Sequence, residues 1–206
     1  VTNPLMDMHS PNIEISARID DGNGMKVALI PSTNLTKPHT ELVGVSNGSN
    51  PLEIVVPRFE IKSVEQNTPL AAVTNTILLT LKVNCDLLPG STVTITGLTG
   101  SASRNSVLRI VDHANGLGEQ GDWLSSGSMT LTSVGMVRRQ TYEARFNLTN
   151  PATSQTSPPV RVGGSIKAVF GDMSRVVPIE MDKTGAELQG VPNGSNPLQV
   201  LVPTLE

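Results

Sequence analysis

The chain has 206 residues, a formal charge of −3, and 18 acidic against 15 basic side chains. The basic residues are scattered and only five residues are aromatic, which excludes a phosphate-binding stripe and a base-stacking platform, and no apolar run reaches the ~18 residues of a membrane-spanning helix. Polarity comes instead from 39 Ser and Thr and 15 Asn, while the apolar fraction with glycine is about 46%, enough to fold one large domain or two ordinary ones.

The chain opens Val1-Thr-Asn-Pro4, with neither an initiator Met nor a basic-then-apolar leader. Ile13–Ile19 and Met25–Ile30 are the first predicted strands, and Asp20-Asp-Gly-Asn-Gly24 lies between them. That turn resembles the start of a calcium loop, but the distal bidentate Glu is missing, so it reads as a hairpin turn. Leu52–Val56 and Phe59–Val64 are predicted strands. Period-2 alternation is clearest in Thr76–Asn84 (Leu79, Leu81, Val83 on one face), Ser91–Gly97 (Val93, Ile95) and Thr141–Leu148 (Tyr142, Ala144, Phe146, Leu148). Val107–Val111, Met129–Ser133, Val160–Val169, Arg175–Met181 and Leu198–Val202 complete the set, rich in the β-branched residues that suit a pleated surface. Pro89-Gly90, Gly97–Ser101, Asn115-Gly116 and Asn193-Gly194 supply turn residues, expected at positive φ. Gly116–Gly121 superficially contains G-x-G-x-x-G, but the βαβ context is absent and GLGEQGDW reads as a loop before Trp123. No stretch carries a helical stripe. The expected fold is all-β: antiparallel β-sandwiches, immunoglobulin-like in architecture, in tandem repeats.

An internal repeat organises this pattern. Glu41–Glu60 (ELVGVSNGSNPLEIVVPRFE) and Glu187–Glu206 (ELQGVPNGSNPLQVLVPTLE) are identical at 13 of 20 positions at an offset of 146. Upstream, Val1-Thr-Asn-Pro4 aligns with Leu148-Thr-Asn-Pro151, and Ser10–Ile15 with Ser157–Val162, at an offset of 147. Two partitions fit. Either 61–206 is one complete repeat and 1–60 the C-terminal part of a preceding one, or modules 1–60 and 148–206 flank a different module, 61–147. A lone 60-residue module has a marginal core. This favours the first partition, in which the chain is a window on a longer array that opens in mid-repeat.

The strand STVTITGLTG (91–100) and the segment FNLTNPATSQTSPPVRV (146–162) resemble the tandem β-sandwich repeats of very large secreted fibrous or cell-surface proteins. The resemblance implies an array with a mechanical or coating role and no catalysis.

Four N-x-[ST] sequons are candidate glycosylation sites: Asn34, Asn47, Asn147 and Asn193, of which Asn47 and Asn193 are repeat equivalents on the NGSNP turn. His9, His39 and His113 show no ligand spacing. Asp112-His113 lacks the G-x-S-x-G elbow of a triad. Cys85 is the only cysteine, expected as a small buried hydrophobe, and Trp123 as a cap on the core. No cofactor, metal or catalytic set is expected. The expected function is a structural repeat of an extracellular or cell-surface filament or layer. Its partner is self, because 1–60 carries apolar strand faces with no second sheet. Covalent glycans are expected on that reading, and neither nucleic acid nor a membrane span. The alternative is an adhesin-like module binding a glycan or protein through loops 97–106 and 112–127.

Overall fold

A computed structural model of the protein describes residues 3, 5–167 and 173–204. The chain divides into two compact units, Val1–Val56 (unit 1) and Pro57–Glu206 (unit 2). Among the described residues every regular element is a β-strand, and no helix is long and apolar enough to cross a membrane.

Unit 1 holds one antiparallel hairpin, β1 (Glu14–Asp20) and β2 (Lys26–Asn34), joined by the acidic turn. Asp21 Oδ1 accepts from the amides of Asn23 (2.9 Å) and Met25 (3.0 Å), while Asp20 pairs with Arg18 at 2.7 Å. The carboxylates are thus spent within the hairpin turn.

Unit 2 is a sandwich of two antiparallel sheets. One sheet has the order β3 (Phe59–Gln66), β4 (Thr74–Val83), β10 (Thr141–Thr149), β7 (Val111–Asp112). The other runs β12 (Met173–Glu180), β11 (Arg161–Lys167), β5 (Thr92–Thr96), β9 (Ser128–Ser133), β8 (Leu117–Leu124), β6 (Ser106–Arg109). Alternation puts Ile77, Leu79, Leu81 and Val83 of β4 and Tyr142, Ala144, Phe146 and Leu148 of β10 inside. Val93, Ile95, Met129, Leu131 and Val162 of the other sheet are also buried. Phe59 and Val83 from one sheet and Thr92, Ile166 and Val176 from the other line a narrow gap between the layers.

Several sequence expectations are corrected. GLGEQGDW is not a loop: residues 117–124 form β8, paired with both β6 and β9. Its Gly121 is a packing residue, since a Cβ there would lie 2.7 Å from Leu131 Cδ2. Val107–Val111 is broken at Ile110, because the chain leaves one sheet in β6 and enters the other in β7. Leu52–Val56 and Leu198–Val202 are not strands: Leu52 (φ 60°) and Leu198 (φ 54°) are left-handed, and only isolated bridges follow. The predicted end of Val160–Val169 lies outside the described residues.

Cys85 lies just past β4 with 6% of its surface exposed. Burial, reinforced by the neighbouring charge of Asp86, pushes its thiol up to about 11. At pH 8 only about one thiol in a thousand is then ionised, too little for ready alkylation. Iodoacetamide at pH 8 should leave the folded chain unmodified by mass and label it fully in denaturant; rapid labelling of the folded chain would contradict this burial.

Candidate functional site

The outer strand of the four-stranded sheet, β3, presents an open edge that would pair with other chains if left bare. Within unit 2 the segment 182–201 covers it. Val64 N donates to Asp182 O (3.0 Å) and Asp182 N to Lys62 O (2.9 Å), with the Lys62 ammonium on the Asp182 carboxylate at 2.9 Å. Further on, Gln66 N donates to Ser195 O (2.9 Å), Leu201 N to Pro69 O (2.7 Å) and Ala71 N to Leu201 O (3.1 Å).

Between those anchors the chain makes the NGSNP turn, held by the buried Gln66 side chain, which two buried asparagines back. Gln66 Nε2 donates to Gly194 O (2.7 Å) and Gln199 O (2.8 Å), while its Oε1 accepts from Leu198 N (2.7 Å) and Asn75 Nδ2 (2.7 Å). Asn75 Nδ2 also donates to Asn150 Oδ1 (2.8 Å), and Asn150 Nδ2 donates to Thr68 O (3.1 Å) and Leu70 O (2.8 Å). All three amides are buried. Only a neutral amide serves two carbonyls and two N–H groups at once; a carboxylate lacks the donors and an ammonium the acceptor. Gln66, Asn75 and Asn150 form a polar seat with the turn as its plug. Sequence reading missed all three, although Asn75 and Asn150 sit at inward positions of otherwise apolar alternations, which was the available signal.

Unit 1 contains the same turn with the same main-chain hydrogen bonds, although the Ser49 hydroxyl bonds Thr40 where that of Ser195 bonds Thr184. Asn50 N donates to Asn47 O (2.8 Å) where Asn196 N donates to Asn193 O (3.0 Å), and Gly48 N to Val45 O (3.0 Å) where Gly194 N donates to Val191 O (2.9 Å). Asn50 Oδ1 accepts from His39 N, as Asn196 Oδ1 does from Gly185 N, both at 3.0 Å. The left-handed residues correspond too: Asn47 and Asn193 at 59° and 56°, Leu52 and Leu198 at 60° and 54°. The positive φ belongs to the Asn rather than to the following Gly, which is needed because a Cβ would come within 2.9 Å (Gly48) or 2.8 Å (Gly194) of two carbonyl oxygens. Even the flanking contacts match, with Ser10 N on the Glu53 carboxylate and Ser157 N on Gln199 Oε1, both at 2.9 Å.

The hairpins correspond as well. β1–β2 and β11–β12 share their pairing from Glu14 to Ile19 and from Arg161 to Ile166, including a bulge between Ile15 and Ala17 and between Val162 and Gly164; β1–β2 has a second shift between Ile19 and Asp20 that β11–β12 lacks. Their environments differ. β11 pairs with β5, and Val162 and Val176 are 0% and 6% exposed; their equivalents Ile15 and Ile30 are 56% and 51% exposed. Leu198 is fully buried and Leu52 is 43% exposed. Unit 1 therefore carries the plug and the hairpin of a repeat with Ile15, Ile30 and Leu52 exposed, while Ile54, the equivalent of Val200, is already buried against the Met8 bridge.

The four sequon asparagines lie on separate elements and all are exposed: Asn34 ends β2, Asn47 and Asn193 occupy the two turns, and Asn147 lies in β10. Asn147 Oδ1 accepts from Thr76 Oγ1 at 2.9 Å, and the Ser195 hydroxyl of the last sequon is buried against Thr184 Oγ1 at 2.9 Å. His9 meets Glu53 at 3.1 Å and His39 meets Asn50 at 3.1 Å. His113 N donates to Glu143 O at 3.1 Å, and the side chain of Asp112 lies outside the described residues. Trp123 is buried, with its Nε1 donating to Ser103 O at 3.2 Å. Loop 97–106 is stapled down by Ser101 Oγ to Thr149 O (3.0 Å) and Thr149 N to Ser103 Oγ (2.8 Å), so hydroxyls that a surface loop would offer to a ligand are engaged internally. Among the described residues no group of three or more His, Cys, Asp or Glu could hold a metal ion.

No protein-family model and no curated protein matches the sequence. Solved structures similar in fold include the cohesin module from a Clostridium perfringens family 33 glycoside hydrolase, at 10% identity and TM-score 0.38, covering 59% of this chain and 96% of the module. Another is an uncharacterized immunoglobulin-like protein from Nocardia farcinica, at 11% identity and TM-score 0.36, covering 68% and 96%. At such values the likenesses carry no argument about function; the sandwich architecture rests on the strands themselves.

Replacing Gln66 by Ala strips two buried carbonyls, a buried N–H and Asn75 of their partner, and each orphaned group costs about 1–3 kcal/mol. Gln66→Ala should lower the stability of unit 2 by about 3 kcal/mol, read from the denaturant midpoint of Trp123 fluorescence. An unchanged midpoint would show that the seat does not hold the plug.

Proposed function

We propose that the protein is a structural repeat module of an extracellular filament or surface layer, self-associating through unit 1. One observation carries this reading: up to Ile19 the β1–β2 hairpin reproduces the pairing and the first bulge of β11–β12, while Ile15 and Ile30 are exposed where Val162 and Val176 are buried. A hairpin with an apolar face needs a second layer, and an exposed face of this kind invites association. The pairing of β11 with β5 places a strand from 148–206 within a sheet built from 61–147, which supports the partition in which 61–206 is one complete repeat. A head-to-tail contact between unlike surfaces does not close on itself and propagates. The low charge, the Ser, Thr and Asn surface and the exposed sequon asparagines Asn34, Asn47, Asn147 and Asn193 suit a glycosylated extracellular setting.

Sedimentation velocity tests the association. The full chain should gain mass with concentration, and Ile15→Asp combined with Ile30→Asp should return it to the monomer without moving the Trp123 transition of unit 2. A wild-type chain that stays monomeric throughout would remove the reading. Material from a secretory host should also carry glycan of one state at Asn47 and Asn193, seen as a mass loss on glycosidase treatment; an unmodified mass would remove the glycan alone.

A further inference from the structure

Resting on the repeat equivalence behind that reading, we infer that the turn of unit 1 is a second plug for the seat in unit 2 of another copy of this chain. There it would lie on Gln66, Asn75 and Asn150 in place of the resident turn. The seat reads mostly main chain. Gln66 bonds Gly194 O, Gln199 O and Leu198 N, and its own amide bonds Ser195 O. The corresponding groups of unit 1 are Gly48 O, Glu53 O, Leu52 N and Ser49 O, held in the same turn by the same internal hydrogen bonds and the same left-handed residues. Recognition of this kind tolerates side-chain change provided the backbone shape is kept.

The apolar contacts correspond in type: Leu52 replaces Leu198, Ile54 replaces Val200 and Val45 replaces Val191. Between 41–54 and 187–200 only four residues differ. Val43 stands where Gln189 accepts a hydrogen bond from Thr68 Oγ1 at 3.1 Å, so one bond is lost. Glu53 stands where Gln199 Oε1 accepts from Ser157 N, and a carboxylate oxygen accepts equally well. Ser46 for Pro192 and Ile54 for Val200 change little at the contact. The resident plug keeps a small advantage, and the open one takes the seat once the resident is released.

Two full-length variants test this. In the first, Gln189→Val, Pro192→Ser, Gln199→Glu and Val200→Ile give the resident turn the sequence of the unit 1 turn. Its Trp123 thermal transition should stay within about 5 °C of the parent, and a loss of the transition would overturn the inference. In the second, Leu198→Asp unseats the resident plug. It should associate with concentration more strongly than the wild type by sedimentation velocity, and adding Leu52→Asp should cancel the gain. No gain, or a gain that Leu52→Asp leaves in place, would overturn the inference. Should Leu198→Asp simply unfold unit 2, the four-residue variant decides. Wild-type association that depends on Ile15 and Ile30 while both plug tests fail would leave the repeat reading and remove the plug. A monomeric wild type whose Leu198→Asp variant polymerises through Leu52 would do the reverse.

Discussion

A strand edge has to be covered, and in unit 2 the cover comes from the far end of the sequence. β3 begins the sandwich and 182–201 closes it, so the first and last elements of the unit stabilise each other across more than a hundred residues. The closing segment combines its hydrogen bonds with the buried side chains of Val191, Leu198 and Val200. Buried amide groups are costly when unpaired; here all but Asn75 Oδ1 find partners, and a segment of the wrong shape would orphan several more at once. The NGSNP turn meets the requirement by turning its carbonyls and one N–H toward Gln66.

The requirement also explains the likeness of the two turns. Asn50 and Asn196 each cap the turn with a side-chain oxygen, Asn47 and Asn193 each adopt a left-handed conformation open to Asn at low cost, and the glycine between them permits close approach to two carbonyls. The two asparagines and the glycine thus have geometric tasks, while two of the four exchanges, Val43 for Gln189 and Glu53 for Gln199, fall on side-chain hydrogen bonds. In unit 1 the same shape is kept with Leu52 exposed and without a seat, so that shape does not depend on the seat.

Much of this was legible in the sequence. The alternations in 76–84, 91–97 and 141–148 became β4, β5 and β10, because period-2 burial leaves a direct trace in residue type. The repeat located the turn. Three things were misread, each for a physical reason. Glycines in 116–121 looked like a loop but serve close strand packing in β8. Apolar runs after Leu52 and Leu198 looked like strands, although the left-handed leucines leave only bridges. Asn75 and Asn150 continue the inward positions of two apolar alternations, but a polar residue at a strand end reads as the start of a loop, and only the fold shows these amides meeting Gln66 in the interior.

The direction of the closing segment has a mechanical meaning. Its bridges to the β3 side of the unit, Ser63 with Asp182 and Leu70 with Leu201, are both parallel. Tension between the start of β3 and the stretch after Leu201 therefore acts along the paired segments, across their hydrogen bonds. The Leu201 anchor, at the loaded end, bears that tension first, with the turn on Gln66 and then the Asp182 bonds and Lys62 ion pair behind it. In the array proposed above, each module would then be loaded along its closing segment, from its C-terminal anchor inward.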